Sequence, residues 1–140
     1  MTQLVDDQEL SRLLRAGAYN QPANPVFTTG LWYVRLGQAL FGAQSKTGKL
    51  SGPFASLPVP LQEQALRSVF ALPDEVGLVS LRDLAPRIGQ LRGRHRLNLL
   101  GAEVLAAAIE LDAEVVLSSP APMLEAALHS EGCALRCLYT

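Results

Sequence analysis

Residues Asn98 to Leu138 read NLLGAEVLAAAIELDAEVVLSSPAPMLEAALHSEGCALRCL, and their periodicity decides the fold class. Asn98 offers a side-chain oxygen to the amides of a helix over Leu99 to Leu111, which is apolar nearly all round and therefore buried. Glu114 to Leu117 is a short apolar run that reads as a strand. Ser119 and Pro120 open a second helix to His129, Gly132 ends it, and Ala134 to Leu138 reads as a last strand. Adding the apolar run Val76 to Val79, and a helix Leu81 to Leu91 with the Ser80/Asp83 capping pattern, strand and helix alternate through this half. That alternation predicts an α/β fold built on a mostly parallel sheet with helices on both faces.

The upstream half extends the pattern less regularly. Thr2 to Val5 reads as a strand. Asp6 and Glu9 form a capping pattern for a helix that lines up Leu10, Leu13 and Leu14 and stops at Gly17. Ala18 to Thr29 reads as a loop. Leu31 to Phe41 is a helix with Trp32, Leu36 and Leu40 at helical spacing, and Gln44 to Pro58 is a second loop. Pro60 suits the first turn of a helix to Ala71 that would bury Leu61, Ala65, Leu66, Val69 and Phe70. The expected architecture is one three-layer domain over residues 1–140, with about four strands.

Composition supports that size of core. The chain is 49% apolar, 18% charged and 6% aromatic, which excludes disorder, a collagen repeat and a disulfide scaffold. The uncharged stretch Ala16 to Val34 carries Asn, Gln, Thr and two prolines, so no membrane span is expected. The N-terminus lacks the basic and apolar regions of a secretion signal, so a cytoplasmic protein is expected. Cys133 and Cys137, on one face of a strand, would stand about 13 Å apart at a strand's rise per residue, too far for a disulfide. Reduced, packed thiols are expected. Gly132 interrupts any helix that would align His129 with these cysteines, so a zinc site is not expected.

Charge is uneven along the chain. Arg82 to Arg96 holds five arginines against Asp83, a net of +4, while Leu97 to Thr140 holds six acids against Arg136, a net of −5. The basic stretch either contacts phosphates, with Arg92, Arg94 and Arg96 as the contacts, or pairs with the acidic C-terminal third. Tyr33, on a different helix face from Trp32, is a candidate for stacking on a base or a partner. Gly42 to Ser51, GAQSKTGKLS, lacks the first glycine and the final Ser/Thr of a phosphate loop, and no strand precedes it. Neither His95 nor His129 sits in a pattern that defines a catalytic triad.

Three carboxylates stand out. Glu103 is the one charged side chain on an otherwise apolar helix face from Leu97 to Ile109, so it is either paired with an arginine or turned to a cleft. Asp6 and Asp7 fall where a first strand would end, the edge where parallel sheets place their sites. There they would hold Mg²⁺, or Asp6 would simply cap the helix.

RLNLLGAEVLAAAIELDAEVVLSSPAPMLEAALHSEGCALRCL, from Arg96 onward, resembles the C-terminal half of PIN domains, and LVDDQELSRLL at the N-terminus is similar to their opening strand, acid and helix. The resemblance covers about 60 residues by pattern. It implies a Mg²⁺- or Mn²⁺-dependent ribonuclease with three or four clustered carboxylates, and it sets Asp6 at the first metal-binding aspartate. The chain departs from that pattern at the other acids. The family's helix glutamate falls in LWYVRL, which has none, its aspartate in the long helix falls near Gly101, and its acid after the next strand falls at Ser119.

Asp6, Asp7 and a displaced Glu103 are too few for two-metal hydrolysis. The expectation is a noncatalytic PIN-like binding or regulatory domain with an RNA or protein partner and no cofactor. One alternative is a weakened metal-dependent endoribonuclease using Mg²⁺ or Mn²⁺ on Asp6, Asp7 and Glu103. The other is a self-associating structural protein, a homodimer, resting on the Leu/Ala-rich segment Leu57 to Leu72.

Overall fold

The computed structural model describes residues 1–41 and 50–139. Five strands, β1 (Gln3–Val5), β2 (Val26–Thr28), β3 (Val76–Leu78), β4 (Glu114–Leu117) and β5 (Leu135–Cys137), form one sheet in the order β3-β2-β1-β4-β5. Every pairing is parallel. The helices among the described residues are α1 (Asp7–Ala16), α2 (Gly30–Phe41), α3 (Gly52–Ala55), α4 (Val59–Phe70), α5 (Leu81–Arg94), α6 (Leu99–Leu111) and α7 (Pro122–Ser130). The expected α/β class holds, with five strands rather than four. The additional strand is β2, which lies within the Ala18 to Thr29 segment expected to be a loop.

Alternation along the strands builds two cores. Leu4 and Val115 face one cluster, which includes Leu84, Leu91 and Leu105 from α5 and α6. Val5 and Val116 face the other, which includes Leu10 and Leu13 of α1, Leu36 of α2 and Val69 of α4. Each fully buried Leu or Val contributes about 1.5–3 kcal/mol relative to exposure. α6 is the central helix of the first layer, buried from Gly101 to Ala108. Its alanines let α5 and α7 pack closely on either side.

Local signals act where the sequence places them. Asp6 Oδ1 accepts the Glu9 amide and caps α1, while Gly17 ends that helix at φ 64°. Asn98 caps α6 through the Gly101 amide at 2.8 Å. At β3 a Cβ on Gly77 would overlap the Phe27 ring of β2, so the pairing of these two strands requires glycine there.

Several boundaries and burials differ from the sequence reading. α5 runs on to Arg94, and α7 starts at Pro122, because Ala121 rather than Ser119 is its N-cap residue. Residues 52–55, read as loop, form the helical turn α3, while the phosphate-loop comparison falls largely on 42–49, outside the described residues. Leu61 and Phe70 are about half exposed rather than buried, because α4 turns only Ala65 and Val69 fully inward. Cys133 is half-buried, but Cys137 is exposed rather than packed. Among the described residues no helix is long and apolar enough to cross a membrane.

Candidate binding site at the carboxyl edge of the sheet

The order β3-β2-β1-β4-β5 reverses direction between β1 and β4, and a parallel sheet places its ligand crevice beyond the carboxyl ends of the strands at such a reversal. Here the reversal is hydrogen-bonded across. Asp6 Oδ2 accepts the Ser118 amide at 2.6 Å and Oδ1 accepts the Ser118 hydroxyl at 2.9 Å. With the Glu9 amide, three protein donors engage the Asp6 carboxylate. Beside it, Gln8 Nε2 donates to Ser119 Oγ at 2.8 Å. Asp6 is therefore the helix cap and also the link between β1 and β4.

Asp7 is buried next to it. Its Oδ1 accepts the Gln8 amide, and its Oδ2 lies 3.4 Å from Arg35 Nε on α2 without a hydrogen bond. Burial pushes the Asp7 carboxyl above its ordinary value of 3.8, Arg35 pulls it back, and Asp6 adds to the rise. Arg35 is the charged residue of the LWYVRL stretch, so this chain carries a cation where the resemblance assigns a glutamate.

Glu103 is fully buried on α6 and forms no arginine pair among the described residues. Its Oε1 accepts the Leu31 amide at 3.0 Å, in the first turn of α2, and its Oε2 has no hydrogen-bond partner. A Cβ at Gly30 would stand 3.4 Å from that oxygen. The side chain satisfies an amide that α2 cannot satisfy internally. The residue pattern leaves open an ion pair or a cleft for Glu103, and its backbone partner escapes any local pattern because it lies 72 residues away.

An Mg²⁺ or Mn²⁺ ion does not fit these residues. Each needs several oxygen ligands with room for water, yet Asp6 is already engaged by three donors and a guanidinium stands at the open oxygen of Asp7. Among the described residues no three histidine, cysteine or acidic side chains come together in a set able to hold an ion. Gly101 and Ser119, where the resemblance assigns two further acids, bring none.

Next to this edge lies a pocket of about 430 Å³ between α2, α6 and the start of α7, with Arg35, Arg96, Gly101 and Met123 in its wall. A second groove shares Arg96, Pro122 and Met123 and continues past Arg94 and His95. The basic stretch is exposed at Arg92, Arg94 and Arg96. Part of it pairs with the acidic third, as the sequence allowed. Arg94 lies 3.5 Å and His95 2.7 Å from Glu131, and Arg87 lies 3.6 Å from Glu110. The His95 contact holds the Glu131 carboxyl below its usual range, with burial opposing and Arg94 assisting. Arg92 and Arg96 have no carboxylate partner among the described residues.

Tyr33 is not part of this surface. Its hydroxyl donates to the Val69 carbonyl, and its ring packs in the second core, beside a separate groove lined by Val34, Gly37 and Phe70. Cys133, His129 and Cys137 likewise form no metal set, and burial, with Glu131 and Asp112 nearby, raises the Cys133 thiol.

No family model and no curated protein matches the chain. The five strands form an all-parallel sheet with helices on both faces, an α/β fold. Among solved structures, a chain in the structure of VapBC-1 from nontypeable Haemophilus influenzae is similar, with a TM-score of 0.56, 12% identity and 98% of each chain covered. At that identity the likeness establishes the fold, and the site must be read from this chain's own residues.

Proposed function

We propose that this chain is a noncatalytic PIN-like domain that binds single-stranded RNA through the arginine strip at the α5–α6 corner. The observation that carries the reading is the pair Arg92 and Arg96, exposed and without a carboxylate partner among the described residues, beside an edge where Asp6 and Glu103 each accept a backbone amide of the chain itself. Exposed, unneutralised arginines release counterions when they meet phosphates, which makes affinity fall with salt. The test is fluorescence anisotropy with a labelled single-stranded RNA across a salt series. Replacing Arg92, Arg94 and Arg96 together by alanine is expected to weaken binding and to flatten the slope of log K against log salt, by about 0.7 for each phosphate no longer neutralised. An unchanged slope overturns the reading, and so does cleavage of the RNA with Mn²⁺ that Asp6→Ala abolishes.

A second reading, self-association through α4, is favoured by a specific feature. Val59 and Phe70, which share one face of that helix, and Val34 of α2 are all at least half exposed, and Val34 and Phe70 line one groove. A surface of that kind is a common partner site. Sedimentation at micromolar concentration is expected to show a dimer that Val59→Glu disperses, and a monomer overturns this second reading.

A further inference from the structure

We infer that Glu131 is a tethered competitor for the arginine strip and that protonation of His95 offsets it, so that the strip takes phosphate more strongly in mildly acidic solution. The inference deepens the RNA-binding reading and rests on it for the identity of the anion. It begins where the ends of α5 and α7 meet. His95 follows α5 in extended backbone with its amide on the Leu91 carbonyl, and Glu131 follows α7 with its amide on the Ala127 carbonyl. His95 Nε2 lies 2.7 Å from Glu131 Oε2, with 15% and 18% of the two side chains exposed. The other oxygen of that carboxylate lies 3.5 Å from Arg94, whose side chain is 60% exposed.

One carboxylate thus meets a guanidinium, which is always charged, and an imidazole, a group whose charge changes between about pH 5 and 8. With the imidazole neutral, the charge of Glu131 is set against Arg94, and a phosphate must displace it to reach that arginine. With the imidazole protonated, its charge cancels that of the carboxylate and Arg94 is left in excess. A lysine or arginine at position 95 would hold Glu131 alike at every pH; histidine makes the balance depend on a proton. The effect reaches the strip because Arg94, His95 and Arg96 line one groove of about 510 Å³ against α7. The other charged or titratable groups at this junction are Arg87 of α5, whose charge also reaches Glu131, Asp112 after α6, and the Cys133 thiol after α7. Burial raises that thiol, and the Glu131 carboxyl is held below its usual range, so neither takes over the role of the imidazole.

The test is anisotropy of the whole chain with a labelled oligouridylate across a salt series, at about pH 8 and about pH 5.5, a range in which histidine changes charge and the RNA does not. Binding is expected to be tighter at the lower pH, with the slope of log K against log salt steeper by about 0.7, one phosphate more. His95→Gln is expected to bind alike at both pH values, and Glu131→Gln to bind more tightly than the unsubstituted chain at the higher pH. His129→Gln, at an exposed position, is expected to keep the pH dependence. Without RNA, the gap in melting temperature between Glu131→Gln and the unsubstituted chain is expected to widen on acidification, because a protonated imidazole holds a carboxylate more strongly. That widening is expected to vanish when His95→Gln is also present. RNA binding that is equal at both pH values, with an unchanged melting gap, overturns the inference and leaves the RNA reading standing. Acid-strengthened binding that persists in His95→Gln also overturns it. Inorganic tripolyphosphate that binds with the expected dependence on pH and on Glu131, while RNA does not bind, supports the inference and overturns RNA as the anion.

Discussion

Glu103 Oε1 accepts the backbone amide of Leu31 at 3.0 Å, so a fully buried carboxylate on α6 caps the helix α2 that carries Arg35. The bond fixes where α2 begins relative to α6. It thereby sets the distance between Arg35 and the far wall of the pocket.

Removing that carboxylate is expected to loosen the whole edge. Glu103→Ala loses the cap and leaves a small cavity, costing about 2–3 kcal/mol, whereas Glu103→Gln keeps an acceptor for Leu31 and costs about 1 kcal/mol. Urea denaturation measures both. Equal losses in the two variants would mean that the Leu31 bond is not what Glu103 contributes.

Asp6 and Ser118 are expected to be coupled. Asp6→Ala removes three accepted hydrogen bonds and should cost about 3 kcal/mol. In a double-mutant cycle with Ser118→Ala the interaction energy is expected to be about 1–2 kcal/mol. Additive losses would contradict the link seen across the sheet reversal.

The pH dependence of stability should show Asp7. In the unfolded chain its carboxyl titrates near the ordinary 3.8, and in the fold it titrates higher because of burial. A raised folded value contributes stability that is fully present below 3.8 and lost as pH rises through the folded value. Asp7→Asn is therefore expected to melt at a higher temperature than the unsubstituted chain at about pH 7, with the gap closing on acidification toward 3.8. A gap of the opposite sign at neutral pH would show that the attraction of Arg35 outweighs burial.

The two thiols should differ in reactivity. Cys137 is exposed, and Cys133 is half-buried with its thiol pushed upward by burial. Alkylation at about pH 8 followed by peptide mass spectrometry is expected to label Cys137 roughly tenfold faster. Equal rates would place Cys133 at the surface.

Much of the fold was legible because the signals are local. The caps at Asp6, Ser80 and Asn98, the stops at Gly17 and Gly132, and the apolar run Val115 to Leu117 each act within a turn or two of the chain. β2 was missed because the few residues between Pro25 and Thr29 carry no periodicity, and they become a strand only by pairing with β1 and β3. Leu61 and Phe70 were expected inside for a related reason. Helical spacing shows which residues share a face, but not how far the sheet extends beneath it.

The sequence by itself determined the α/β class, the buried character of α6, the exceptional position of Glu103, the concentration of arginine from Arg82 to Arg96, and the absence of acids where the PIN resemblance assigns them. These follow from residue type and short-range order. Only the tertiary structure decided which polar groups meet. It turned Glu103 to the Leu31 amide rather than to an arginine, joined Asp6 to Ser118, set Arg35 beside Asp7, and separated Tyr33 from Arg96. Those partners lie up to 112 residues apart, and a pairing at that separation is set by how strands and helices stack, which no local pattern encodes.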